Sequence, residues 1–187
     1  DTMQYHKALP LYETNLTYEP NLIVPLAECY NVLDHPQEAL QMLQNAIEQD
    51  PSITTLPGFD KILGKILLDT GHIQEALDAF NRYEAGANDT EISPMTIHKA
   101  LALYVSGSEM DATQLVHSAM KLLKDESNDL LYRISIGIEL IDYMFQTGNI
   151  EQAEKLIDQL HGLLEELPDS MQESYNTRIV AIRQAQN

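Results

Sequence analysis

The sequence has no Trp, a single Cys and only three Phe in 187 residues. One cysteine excludes an internal disulfide framework. Cys29 lies among Leu26, Ala27 and Tyr30, where a buried structural thiol is the expected reading. With so few large aromatics, the core must be filled by Leu, Ile, Ala, Met and Tyr, all compatible with helices. Val and Thr are too sparse and scattered for a strand-rich protein. Lys and Arg are scarce as well, eleven against twenty-nine acidic residues, and both are missing from Ala8 to Asp60. Phosphate recognition needs clustered positive charge, so nucleic-acid binding and docking to anionic lipid are not expected. Long apolar runs are also missing: none approaches the roughly 18 residues needed to cross a membrane. Direct membrane insertion is therefore not expected.

Hydrophobic residues form 44% and charged residues 21%, a globular composition with enough chain for a sizeable core. The formal net charge of −18 suits a basic partner, although an acidic surface also serves solubility alone. The chain opens on Asp1 and not Met, so it is expected to be a fragment or processed product of a longer protein. Its compartment stays open, with the cytoplasm slightly favoured over the periplasm.

Internal repetition is the most informative positive signal. Asp69-Thr70-Gly71-His72-Ile73-Gln74-Glu75-Ala76 and Gln146-Thr147-Gly148-Asn149-Ile150-Glu151-Gln152-Ala153 share one pattern, each between two apolar stretches. Ser106-Gly107-Ser108-Glu109-Met110-Asp111-Ala112 is a looser copy. Leu33-Asp34-His35-Pro36-Gln37-Glu38-Ala39-Leu40 is a fourth, with Asp34 where glycine would stand. The alanines Ala39, Ala76, Ala112 and Ala153 are spaced 37, 36 and 41 residues apart. A glycine can adopt the left-handed conformation that ends a helix, and Asp tolerates it. Pro36 suits the first turn of the following helix. A small side chain at the alanine lets two helices cross closely. Apolar residues then return at helical spacing, as in Leu40, Leu43, Ala46 and Ile47. Asp50-Pro51 and Leu167-Pro168 break the chain.

This unit resembles the tetratricopeptide repeat family. The likeness is carried by Leu26-Ala27, Tyr30, Ala39-Leu40, Leu43, Ala46-Ile47 and Pro51, and again by Leu63-Gly64, Leu67, Gly71, Ala76 and Phe80. Copies over Ala100–Met120 and Leu140–Leu160 are degenerate. Residues His6 to Pro20 look like the second helix of an earlier repeat, and Met171 to Arg183 like one further helix. The resemblance implies an all-α, right-handed solenoid of antiparallel helical hairpins forming a single domain over 1–187. Its approximate repeats are 1–19 (partial), 20–53, 54–90, 91–127, 128–168 and a terminal helix at 169–187. About ten helices are expected, near 2–17, 22–33, 36–49, 55–70, 73–86, 93–106, 109–125, 128–147, 150–166 and 170–185. Ala85 to Pro94 reads as one extended turn. The repeats run longer than the usual ~34 residues, which places regular superhelical geometry in doubt and leaves the hairpins intact.

Catalytic constellations are not visible. His6, His35, His72, His98, His117 and His161 are scattered, and none forms a zinc-binding pair at helical spacing. No phosphate-cradling loop, nucleophile elbow or calcium loop occurs. Carboxylates such as Glu151, Glu154, Glu165 and Glu166 read as solvated helix surface. An enzyme is not expected, and no cofactor or metal is implied. Asn15-Leu16-Thr17 and Asn88-Asp89-Thr90 match the glycosylation pattern, which matters only in a secreted protein.

The resemblance implies a partner protein or peptide held along a concave groove lined by the first helix of each pair. Glu28, Asn31 and Val32 would face it from the first pair, then Lys61, Lys65 and Leu68. Ile97, Leu101 and Tyr104 would follow, and then Ile138, Asp142 and Phe145. Ordinary packing competes with ligand contact for each apolar member, while Tyr104 and Phe145 are the aromatic candidates for anchors. Glu28 and the overall charge argue against the subclass that grips an acidic C-terminal tail. A basic or amphipathic partner fits better, and self-association stays open. The rival function is a sensor or oligomerisation segment of a larger regulatory, envelope or secretion protein, binding a small ligand or peptide.

Overall fold

The computed structural model describes residues 2–86 and 94–185. Among these, ten α-helices and two short 3-10 turns form the whole of the regular structure, and the all-α reading holds. Two compact units divide the chain at Thr90 and Glu91. The first holds α1 (Thr2–Asn15), α2 (Ile23–Val32), α3 (Pro36–Gln49), α4 (Phe59–Asp69) and α5 (Ile73–Gly86). The second holds α6 (Pro94–Val105), α7 (Glu109–Lys124), α8 (Leu130–Gln146), α9 (Ile150–Leu164) and α10 (Asp169–Gln184). Most of the Ala85–Pro94 turn, and the Asn88 glycosylation pattern, lie outside the described residues.

Helices α2 and α3, α4 and α5, α6 and α7, and α8 and α9 pack as hairpins, and each is closed by the same turn. Asp34, Gly71, Gly107 and Gly148 all take left-handed backbone, with φ of 66°, 80°, 88° and 77°. The next residue then returns its N–H to a carbonyl five positions earlier. The pairs are His35 to Tyr30 (2.9 Å), His72 to Leu67 (2.8 Å), Ser108 to Leu103 (2.8 Å) and Asn149 to Met144 (2.7 Å). This is the Schellman arrangement, which satisfies carbonyls that a helix end would otherwise leave unpaired. Asp34 thus stands in for glycine in conformation as well as in alignment. Pro36 opens α3 as expected.

The repeated alanines Ala39, Ala76, Ala112 and Ala153 are all fully buried. The first helices also carry small residues at close approaches. A Cβ placed on Gly64 would meet the Phe80 ring at 2.5 Å, and one on Gly137 would meet Leu160 Cδ1 at 2.7 Å. Phe80 and Leu160 are themselves buried, so neither has room to withdraw. Cys29 is buried too, and burial raises its thiol pKa, in keeping with a structural role.

One boundary differs from the sequence expectation. Helix α4 begins at Phe59 and not at 55, because Leu56 is extended before Pro57 and Gly58 is left-handed (φ 77°). Residues Pro51–Thr55 form a 3-10 turn capped by Asp50, whose side chain accepts from the Ser52 N–H at 2.9 Å. This insertion, and the 17 residues of α8, account for repeats longer than the family norm.

Two stability measurements check this account. Replacing Gly148 with Ala should cost about 1 kcal/mol, because a Cβ is strained in left-handed backbone. Replacing Asp34 with Gly should stabilise by up to about 1 kcal/mol, relieving that strain and removing a carboxylate from the negative end of α2. Opposite shifts of the urea midpoint are expected for the two variants. Gly64→Val should lose about 1–3 kcal/mol by overpacking against Phe80. An unchanged midpoint would mean that α4 and α5 are not in close contact there.

Candidate functional site

In the first unit, α2 and α4, from successive hairpins, are neighbours. At their C-terminal ends Asn31 donates from Nδ2 to Asp69 Oδ2 at 2.7 Å. The other amide atom, Oδ1 of Asn31, is buried without a hydrogen-bond partner. Glu28, Lys61 and Lys65 are all partly exposed, as is Asn31. Neither lysine is engaged in an ion pair among the described residues. Two further bonds hold these helices to their neighbours. Tyr30 donates to Glu13 on α1 at 2.7 Å, and Arg82 on α5 pairs with Asp60 at 2.8 Å.

The second unit is organised around α8, which is packed against α6, α7, α9 and α10. Its run Ile134-Ser135-Ile136-Gly137-Ile138-Glu139-Leu140-Ile141 is almost entirely buried, and Glu139 is buried with it, at 8% exposure. A carboxylate there must be compensated, since desolvating a charge alone costs several kcal/mol. The compensation comes from α10, and α6 brings a histidine close by. Arg178 on α10 donates to Oε1 at 2.5 Å, and His98 on α6 brings Nε2 to 3.2 Å from Oε2. The histidine contact lacks hydrogen-bond geometry, so it is a close electrostatic approach and not a directed bond. Glu139 therefore ties together α6, α8 and α10.

One turn along α8, Asp142 accepts from Gln146 at 2.9 Å. Burial, above all, pushes its carboxyl above the ordinary carboxylate value. The Gln146 hydrogen bond pulls the other way, Glu139 adds to the rise, and His98 and Arg178 oppose it. Nearby, the Tyr104 and Tyr143 rings meet edge to face, 6.3 Å between centroids at 76°.

The predicted groove residues separate by burial. Glu28, Asn31, Lys61, Lys65, Tyr104 and Asp142 keep part of their surface. Leu101 and Phe145 keep 8% and 7%, and Ile97 and Ile138 keep 2% and none. Packing against neighbouring helices accounts for Ile97 and Ile138. Sequence reasoning passed over the His98–Glu139–Arg178 node, because its members come from three helices. One signal was available: a single Glu inside an otherwise apolar helical run calls for a buried partner.

Among the described residues, no group of three or more His, Cys, Asp or Glu side chains is arranged to hold a metal ion. No described helix is long and apolar enough to cross a membrane. No protein-family model and no curated protein sequence matches the chain. Among solved structures, the crystal structure of MamA is similar over 87% of this chain and 90% of that one, at 20% sequence identity and a TM-score of 0.48. The helical-hairpin fold is carried by the turns and crossings of this chain itself.

Asp142 gives a pH-dependent prediction. Its folded-state pKa is raised, so the fold is favoured by protonation, and that contribution is lost as pH rises through the folded value. At neutral pH the buried charge is a net cost. Asp142→Asn keeps an acceptor for Gln146 and removes the charge, so it should raise the melting temperature at pH 7. The gain should shrink as pH falls through the folded value and be gone below about pH 4, where the carboxyl is protonated in both states. An equal or lower melting temperature at pH 7 would show that the carboxylate is stabilising.

Proposed function

We propose that this chain is a protein-interaction scaffold that holds a partner peptide or helix against the faces of its first helices. The observation that supports this most is the adjacency of first helices from successive hairpins, α2 with α4 and α8 with both α6 and α10. Adjacency of this kind makes a surface read by several repeats at once, which a single hairpin cannot offer. In the first unit the surface would present Glu28, Asn31, Lys61 and Lys65. In the second it would present Tyr104 and Asp142, with Leu101 and Phe145 as the largely buried apolar floor. Tyr104 is the natural anchor, being a half-exposed aromatic already positioned by Tyr143.

Arg178 has a supporting part in this reading. Its guanidinium is bound to Glu139, and the arginine side chain is still 45% exposed. It can hold the node together and present a donor edge to a partner at the same time.

Site-directed photocrosslinking in source-cell lysate tests the proposal. A benzophenone side chain at Tyr104 or Lys65 should trap one defined partner. The same probe at Asp158, exposed on the second helix α9, should not. Tyr104→Ala should weaken the captured complex on the order of 5–30-fold, as loss of an aromatic anchor does. Equal trapping from all three positions, or an unaffected complex, would overturn the assignment to the first-helix faces.

A further inference from the structure

A second surface lies on the other class of helix and is not explained by the first-helix reading. One face of α3 lines a groove together with the end of α1 and the start of α2. It is the row Glu38, Gln41, Met42, Asn45, Ala46 and Gln49, at the i, i+3, i+4 spacing of a single helical stripe. Together with Leu16, just beyond α1, and Ile23, at the start of α2, the row lines a groove of about 470 Å³. The row spans twelve residues, about 16 Å at helical rise, the length of three turns of a docked helix. Its floor is apolar and adaptable, with Met42 and Ala46 half-buried and Ile23 buried. Its rim is polar, with Gln41 donating to Asn45 at 3.0 Å and Glu38 lying 3.4 Å from His35.

The charge of the surrounding chain selects the occupant. From Ala8 to Asp60, the segment that builds this groove, eight residues are Asp or Glu and none is Lys or Arg. A second copy of this chain would bring a further net charge of −18 against that field, and is disfavoured by it. An apolar floor under an all-acidic field is complementary to a helix with one apolar face and a Lys/Arg-rich flank.

We propose that the groove between the end of α1 and the outer face of α3 docks a basic amphipathic helix of a partner protein. Apolar side chains at i, i+3 and i+4 would enter over Met42 and Ala46, and basic residues flanking them would face Glu38. This is a surface separate from the first-helix faces, so a partner could occupy both.

The test uses the whole chain and a labelled helical peptide of about 14 residues built from Leu and Lys, with its Leu/Glu counterpart as control. Fluorescence anisotropy should show saturable binding of the Leu/Lys peptide and none of the Leu/Glu peptide. Because any acidic protein attracts lysines, location decides the matter. Asn45→Trp, at an exposed rim position, should obstruct the groove and weaken binding about tenfold or more. Glu38→Lys should weaken it several-fold, while Glu165→Lys, the same charge change on the second unit, should leave it within twofold. Tyr104→Ala and Lys65→Glu should also leave it unchanged, which separates this surface from the first-helix faces. Each variant is checked for an unchanged helical circular dichroism spectrum. Equal effects of Glu38→Lys and Glu165→Lys, indifference to Asn45→Trp, absence of binding, or binding of both peptides would overturn the proposal. Self-association of the chain abolished by Asn45→Trp would overturn it too, in favour of a second copy.

Discussion

Everything in this fold depends on the chain reversing direction after each first helix, within three residues, without leaving a helix end unsatisfied. That requires left-handed backbone at one position per hairpin. Three of the four positions are glycine and the fourth is Asp34. The turn closes the Schellman hydrogen bonds and delivers the next helix against the first, so the buried alanine of the second helix meets its partner. If the turn were looser, the short side chains at the crossings would face voids and the burial that holds the hairpin would fall away.

Small residues complete the constraint. Gly64 under Phe80 and Gly137 under Leu160 bring α4 and α8 to where only a hydrogen separates each from a buried side chain. Stability in such a structure is the sum of many neighbour contacts, each local in sequence. The second unit adds a different element. Helix α8 is surrounded by four others, so a polar residue on it is either compensated or excluded. Glu139 is compensated by Arg178, with His98 close beside it, which converts a desolvation cost into a link between helices. Asp142, one turn away, is bonded to Gln146, and burial raises its pKa.

The two proposed surfaces differ in how they would recognise a partner. The first-helix faces offer directed polar groups and an aromatic. The groove beside α3 offers an apolar floor in an acidic field. The scaffold reading requires no change of shape on binding, since both surfaces lie on regular helices held by their own hairpins.

Much of this was legible from residue order alone, and for a physical reason. Hairpin turns, buried alanines and helix periodicity are decided by contacts between residues close in sequence. The pattern around Gly71 and Gly148 therefore announced the turns, and Pro36 and Pro168 the helix boundaries. Asp34 could be read as a glycine substitute because left-handed backbone is a property of one residue. The start of α4 was missed because Pro57-Gly58 could end one element or sit within a longer one, and only the packed structure distinguishes them. Which face of a first helix remains open is not a local property. Leu101 and Phe145 share a periodicity with Tyr104 and Asp142, yet they are nearly buried while the latter are not. The partners of Glu139 come from 41 and 39 residues away. Such distances are bridged only when the hairpins stack, so tertiary structure alone decided the node and the division between buried floor and open surface.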